Sequence, residues 1–570
     1  MSIIPHNGAN GMMSMVYTAS FDKLRMIGFK FRMIGFTLGM IGLIVAFFSA
    51  ATACAHTVTS HTYFSVRQPL QAASSELVSL TYDRLNDDLS SNHPELVEGF
   101  FQVIPFGGRS VCNKECANPL GLYFTPFGKT ALIAGEVGSQ AVQNNEADLI
   151  ANYFGVQTVD PTKDTPGPNQ FNTTNGLFQS CISFNPHQSV VGCGLYYLQR
   201  LSSCQEHAVF ISINMPIVHV RNFIGFQEVI TNPGGYAPTS SSTGIEILPG
   251  YVGSMTAALQ GDTVFGTQRF LFGKIPYDSC RPMTMTRIAD LDLRLGYNLM
   301  HSDTAHFDGT LGLIVPTGNK PTAEFIFEPV VGNNKHFGLG LGSNFSFQLY
   351  ECSTRDITVS LQGATENRFL FSNIQPRSYD LLDKQWSRYM WLYPNAQAVP
   401  IAGIVPGINL LTSNLRVHPH FNFTFNTALF LSTSTMSLEL GYNRYARQAE
   451  TVELCGCCPQ NAGIVGIDTT DTLILHTKSN STMSQAGFVE SRFIDVDRTP
   501  NFVPITCATI DLESAAHPAM ATNTVYAAFG YHNDECRWPI LVGLGGSYEV
   551  SDTNAAFNRW LVWAKGGLTF

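Results

Sequence analysis

Apolar and polar residues alternate with period two along several stretches of this chain, most cleanly from Arg416 to Leu429. Val417, Pro419, Phe421, Phe423, Phe425, Thr427 and Leu429 take one face; Arg416, His418, His420, Asn422, Thr424 and Asn426 take the other. Successive side chains of a strand point to opposite sides, so the pattern predicts a strand with one apolar and one wet face. Phe337, Leu339, Leu341, Phe345, Phe347 and Leu349 likewise oppose Gly338, Gly340, Gly342, Asn344, Ser346 and Gln348, and Leu291, Leu293, Leu295 and Tyr297 oppose Asp292, Arg294, Gly296 and Asn298. Met436, Leu438, Leu440 and Tyr442 oppose Ser437, Glu439, Gly441 and Asn443, and Val209, Ile211, Ile213 and Met215 oppose Ser212 and Asn214. A soluble sandwich rarely sets Asp292, Arg294 and Glu439 behind unbroken leucines without a second layer nearby.

The connections alternate too. Tight polar turns centre on Ser203-Cys204, Ser302-Asp303, Cys352-Ser353, Ser432-Thr433 and Asp534-Glu535, whereas long excursions cover roughly 219–285, 319–333, 376–413 and 450–522. Counting back from the carboxyl end puts every tight turn on one side and every excursion on the other. The count gives about twelve strands from near Leu177, and residues 100–110 with 122–136 would raise it to about fourteen.

The segment Trp560 to Phe570 carries only apolar or small side chains at Phe570, Leu568, Gly566, Ala564, Val562 and Trp560, while Lys565 and Arg559 share the other parity. It resembles the closing strand of bacterial outer-membrane β-barrels, which cross lipid with about 9–11 tilted residues. The resemblance implies an all-β fold, a transmembrane antiparallel β-barrel of about 12–14 strands with an N-terminal periplasmic or plug segment. It also implies that Phe570 and Leu568 form the signal read by a barrel-assembly machinery.

Composition fits. Charged residues make up 13% of the chain, against roughly 25% in soluble domains. After residue 55 no apolar run is long enough for a spanning helix. The net charge of −10 speaks against a nucleic-acid partner. Met33 to Ala55 is uncharged, follows Lys23, Arg25, Lys30 and Arg32, and ends in small residues, the pattern of a secretory signal cleaved after Ala55. Cys54 as a lipidated residue and a retained anchor are the competing readings.

Residues 56–176 read as an N-terminal extension, either a plug or a first strand pair, and 177–570 as the barrel. Ser20–Gly28 and Ser91–Gly99 admit reverse-complementary codons, and Arg25-Met-Ile-Gly-Phe29 recurs at 32–36, so an inserted repeat is expected near 91–99. In its plug-plus-barrel layout the chain is similar to the long-chain fatty-acid transporter family, with no residue carried over from it.

Of 13 cysteines, twelve would remain after signal removal, an even number suited to disulfides in an oxidising compartment. Cys181 and Cys193 are expected to face each other across a hairpin, Cys112 and Cys116 to close a small loop, and Cys455, Cys457, Cys458 and Cys507 to brace external loops. A soft-metal site at Cys455–Cys458 is the alternative. His418 and His420 share a face but lack a third ligand, so no metal or other cofactor is expected. No hydrolase, zincin or phosphate-loop motif occurs, so no catalytic residue is expected.

The sequence therefore predicts a non-enzymatic barrel in the bacterial outer membrane with the lipid bilayer as its partner, most simply a porin or passive solute transporter. Its expected lumen residues are Asp292, Arg294, Asn298, Asn344, Ser346, Gln348, Arg416, His418, His420, Asn422, Thr424, Glu439 and Asn443. The alternative is a structural or adhesive surface barrel with disulfide-braced loops.

Overall fold

The computed structural model describes residues 58–68, 99–111, 120–126, 131–134, 149–156, 178–204, 207–232, 252–264, 267–278, 281–302, 304–352, 354, 356–392, 394–395, 405–456, 458–459, 462–466, 501–533 and 538–570. The expected signal and nearly all of the inserted repeat lie outside these residues.

Twelve strands build the wall: β1 Gly99–Ser110, β2 His187–Cys204, β3 His207–Phe223, β4 Leu291–Ser302, β5 Ala305–Val315, β6 Gly338–Cys352, β7 Ile357–Leu370, β8 His420–Ser432, β9 Met436–Arg447, β10 Met520–Asn533, β11 Ile540–Ser551 and β12 Arg559–Thr569. Each pairs antiparallel with its neighbours in sequence, and β1 pairs with β12, so the meander closes and leaves no free edge in the wall. A short strand, Met283–Ile288, adds to β3 beyond the rim.

Alternation decides which way each side chain points. On β4 to β6 the outward Leu295, Leu311 and Leu341 are neighbours in register, and each exposes more than half its surface. Tyr350, Tyr531, Trp538 and Phe570 ring the outer wall at one end, and Tyr548, Trp560, Phe369 and Phe421 at the other. An apolar band between two aromatic girdles is the exterior of a lipid-spanning barrel.

All five tight turns fall at the end that carries Phe570. The other six connections, five long and one of residues 552–558, leave from the opposite end, and their described residues form a cap with its own core around Tyr123, Phe124, Phe154, Trp386, Tyr389 and Leu411.

Twelve strands are present, but not the twelve beginning at Leu177. The first barrel strand is Gly99–Ser110, inside the segment read as an extension. Its Pro105 and three glycines obscure the alternation, and its ladder to β12 is interrupted at Ile104 and Pro105, as expected where a residue lacks an N–H. Gln179–Ser183, too short to span lipid, joins Ala131–Ala134, Leu149–Ile150 and Gln227–Asn232 in a four-stranded cap sheet. Of the pair that would have made fourteen, residues 100–110 lie in the wall as β1, whereas Ala131–Ala134 belongs to the cap sheet, so the count stays at twelve. The stretch 416–429 is also not one strand. His420 adopts φ +58° after Pro419, which ends Thr412–His418, a cap strand, and starts β8.

Candidate functional site in the lumen and its mouth

Residues 58–68 form an extended strap across the mouth of the barrel at the cap end. Its backbone is taken up by the cap: Ser60 N donates to Thr125 O, His61 N to Tyr123 O and Thr62 N to Ser514 O. Phe64 inserts its ring among Tyr123, Phe327, His517 and Phe557, with centroids 5.0 to 5.9 Å apart.

The strap's polar side chains then reach the wall. Arg67 donates to Glu549 at 2.7 Å, to Thr522 at 2.9 Å and to Asn443 at 2.7 Å, and its guanidinium lies 4.4 Å from the centre of the Tyr445 ring. Arg559 pairs with the other Glu549 oxygen and donates to the Arg67 carbonyl at 2.8 Å. One carboxylate therefore holds two guanidinium groups, one from the strap and one from β12. Buried charges persist only when compensated in this way.

A second ionic cluster sits beside the first. Glu450 pairs with Arg447 and lies 3.6 Å from Arg377, while its backbone N–H and that of His517 exchange bonds with the opposite residue. Burial pushes the Glu450 carboxyl up, but Arg377 and Arg447 outweigh it and hold the group at about 2. Burial lowers His517 to about 3, with Arg447 adding to the effect, and lowers His336 to about 4. Arg447 also donates to Ser65 at 2.6 Å, and Arg377 stacks on Tyr63, whose hydroxyl burial pushes up to about 12.

Deeper in the lumen, Asp292 and Arg294 of β4 meet Glu366 and Arg368 of β7. Asp292 accepts from Arg294 at 2.6 Å and from Arg368 at 2.8 Å, and both arginines reach Glu366. Two strands intervene, roughly 14 Å of wall at about 4.8 Å per step. Glycines make the meeting possible: the register row runs Arg294, Gly312, Gly340, Arg368, so no side chain stands between the guanidinium groups.

Near the tight-turn end, Phe100, Tyr196, Leu198, Phe210, Phe430 and Leu541 form one contiguous apolar cluster fed by five strands, β8 on the far wall among them.

Of the lumen residues expected from sequence, Asp292, Asn298, Ser346, Asn422, Thr424, Glu439 and Asn443 are buried on the inner parity, and Arg294, Asn344 and Gln348 share that parity while partly exposed. Arg416, His418 and His420 are not in the lumen. Arg416 and His418 belong to a cap strand, His418 lies 3.6 Å from Glu453, and His420 stands at the rim against Thr451. The kink at His420 removes Arg416 and His418 from the wall and leaves His420 at its edge.

Sequence reasoning missed the strap, Glu366, Arg368 and Glu549, and it set Arg559 on the wet parity of the closing strand without giving it a role. On β7 the signal was present but blurred, because Gly363, Thr365 and Asn367 occupy the outward parity.

Cys458 and Cys507 form a disulfide with Cα atoms 5.5 Å apart. Cys181 and Cys193 are free, because their strands lie in different sheets. Cys455 is also free and exposed. Cys112, Cys116 and Cys457 lie outside the described residues. Among those residues no group of three or more acidic, histidine or cysteine side chains could hold a metal ion, and no helix is long and apolar enough to cross a membrane.

No family model matches the chain, and no curated protein matches it. Solved structures do. The COG4313 outer membrane channel from Pseudomonas putida F1 aligns with TM-score 0.34 and 8% identity over 84% of this chain and 98% of the channel. A Pseudomonas aeruginosa FadL homologue aligns with TM-score 0.24 and 7% identity over 83% and 89%. The Pseudomonas putida toluene transporter TodX aligns with TM-score 0.23 and 7% identity over 90% and 96%. At such low scores the barrel assignment rests on the strand pairing itself.

Proposed function

We propose that this protein sits in the bacterial outer membrane and passes small solutes through a lumen that the strap closes, a gated transporter more than a constantly open porin. The observation that carries the reading is the ionic seating of the strap. A barrel serving only as a wall could fill its mouth with apolar side chains, which stabilise as well as buried ion pairs do or better. Here the mouth is held by Arg67, Glu549 and Arg559, groups whose attachment to one another depends on geometry and protonation. Beneath it the inner wall carries polar groups on β4 to β10, and the apolar cluster around Phe210 and Phe430 narrows the tight-turn end.

The second reading, a structural or adhesive surface barrel, draws on the Cys458–Cys507 bridge in the cap. Planar-bilayer conductance separates the two. The gated reading expects small, infrequent openings from the native protein and steady current once Arg67 is replaced by alanine. Silence from both proteins, with each shown to be folded by heat-dependent gel migration, would establish the structural barrel.

A further inference from the structure

At the cap end, one row of the outer wall turns positive charge toward lipid. From β11 through the seam to β3 the paired outward positions are Tyr548, Trp560, Arg109, Ser189 and Arg221. Tyr548 and Trp560 belong to the aromatic girdle, and both arginines are exposed. Arg109 and Arg221 lie two strands apart, roughly 10 Å at about 4.8 Å per step. The short Ser189 between them leaves room for both guanidinium groups to converge on one ligand outside the wall.

The fold neutralises another cation of this rim but not these two. Arg444, outward on β9 at the same end, pairs with Asp552 at 2.7 Å and donates to Asn523 at 2.7 Å. Neither Arg109 nor Arg221 has an acidic or hydrogen-bonding partner for its side chain among the described residues. The next row toward the middle of the bilayer reads Val562, Gly107, Val191 and His219, with both valines more than half exposed. Gly107 therefore opens a shallow slot between two apolar side chains, directly below Arg109.

Cations above an apolar slot match the layout of a lipid, with its phosphate at the surface and its acyl chains beneath. Guanidinium groups suit phosphate because they donate two parallel hydrogen bonds to it. An acidic protein partner would need the patch to stand clear of the bilayer, whereas Trp560 and Tyr548 in the same row set it at the level of the headgroups.

We propose that Arg109 and Arg221 bind the phosphate of an anionic lipid in the surrounding leaflet, with an acyl chain in the slot at Gly107. The site belongs to the outer wall and is independent of what the lumen passes.

Native mass spectrometry of the protein in detergent, with equimolar dioleoylphosphatidylglycerol and dioleoylphosphatidylcholine, tests it. The two lipids share chains and phosphodiester, but choline cancels the charge of the second. The protein should retain the anionic lipid about thirtyfold over the zwitterionic one, the ratio given by two arginines beside a headgroup. Arg109→Gln and Arg221→Gln should each lower that ratio about fivefold, and the double variant should bring it near unity. Lys335→Gln removes an exposed cation just before β6 and should leave the ratio unchanged. Each variant is first shown to be folded by its heat-dependent migration. No preference in the native protein, a preference that survives in the double variant, or an equal loss with Lys335→Gln overturns the site. Displacement of the lipid by excess inorganic phosphate would identify a free-anion site and overturn the lipid as its occupant.

Discussion

The guanidinium of Arg67 and the carboxylate of Glu549 meet at 2.7 Å although 482 positions separate them in the chain. Replacing Arg67 by alanine removes one of the two cations on a buried anion while Arg559 remains. Breaking a buried pair costs about 3–5 kcal/mol when nothing else compensates, so a loss at or below the low end of that range is expected here. Because the loss falls on the strap, the barrel should keep its heat-dependent migration while proteases gain access to residues 58–68. Unchanged protease resistance would show that the cap's backbone bonds alone retain the strap.

Outer and inner substitutions should differ in cost. Leu311→Arg places a charge in the apolar band and should destabilise by roughly 2–4 kcal/mol. Asn344→Arg, on the inner wall where the lumen has room, should change stability by under about 1 kcal/mol. Urea titration in detergent or lipid measures both, and a larger loss for Asn344→Arg than for Leu311→Arg would mean that the parity of β5 and β6 is reversed.

The face assignment was legible in sequence wherever large apolar residues kept one parity, as in β4 and β9 and, with Ser343 as the one exception, in β6. It failed at β1, where Pro105 and its glycines hide the alternation, and at His420, where a left-handed residue splits what looked like one strand. The strap was not legible at all. Val58 to Gln68 carries no periodicity, and its role comes from partners near positions 380, 450 and 549 that only the closed wall brings together.

Acid should loosen the strap. His517 and His336 are fully buried, and their folded values of about 3 and about 4 lie below the ordinary 6.5. A histidine held neutral in this way contributes fully above 6.5, and the contribution falls as pH drops from 6.5 toward the folded value. Glu450, held at about 2 against an ordinary 4.5, contributes fully above 4.5 and loses its contribution as pH falls from there through 2. Between pH 6.5 and 4.5 His517 and His336 are joined by His61 of the strap, which burial also lowers. Together they outweigh Asp290, which burial pushes up to about 6 and which acts the other way. The histidines' effect is on the order of a few kcal/mol. Conductance or protease access should rise over that interval. A flat response there, with a rise only below pH 4.5, would assign the latch to Glu450 alone.

The bridge between Cys458 and Cys507 spans 49 positions. Closing a loop of that length constrains the unfolded cap by roughly 4 kcal/mol at most. Cys458→Ser should therefore speed proteolysis within residues 448–519 and leave the gel shift of the barrel unaltered. Loss of the gel shift would mean that the cap is needed to hold the wall closed.

At the seam, Gly99 and Phe570 exchange backbone hydrogen bonds at 2.8 and 2.9 Å, and the Phe570 ring lies beside Tyr197 and Trp538. Phe570→Ala keeps those backbone bonds and, with the ring already half exposed, should cost less than the roughly 1.5–3 kcal/mol of a fully buried phenylalanine. If the closing strand is also what assembly machinery reads, the variant should insert poorly in cells yet refold from denaturant almost normally. Normal insertion in cells would remove that role from Phe570.

The strap is made before the first strand of the wall, but its anchors Glu549 and Arg559 lie on the last two strands. A growing chain therefore carries its stopper from the start and cannot seat it until the wall is nearly complete. The ionic latch thus closes last, and seating the strap is coupled to completing the wall.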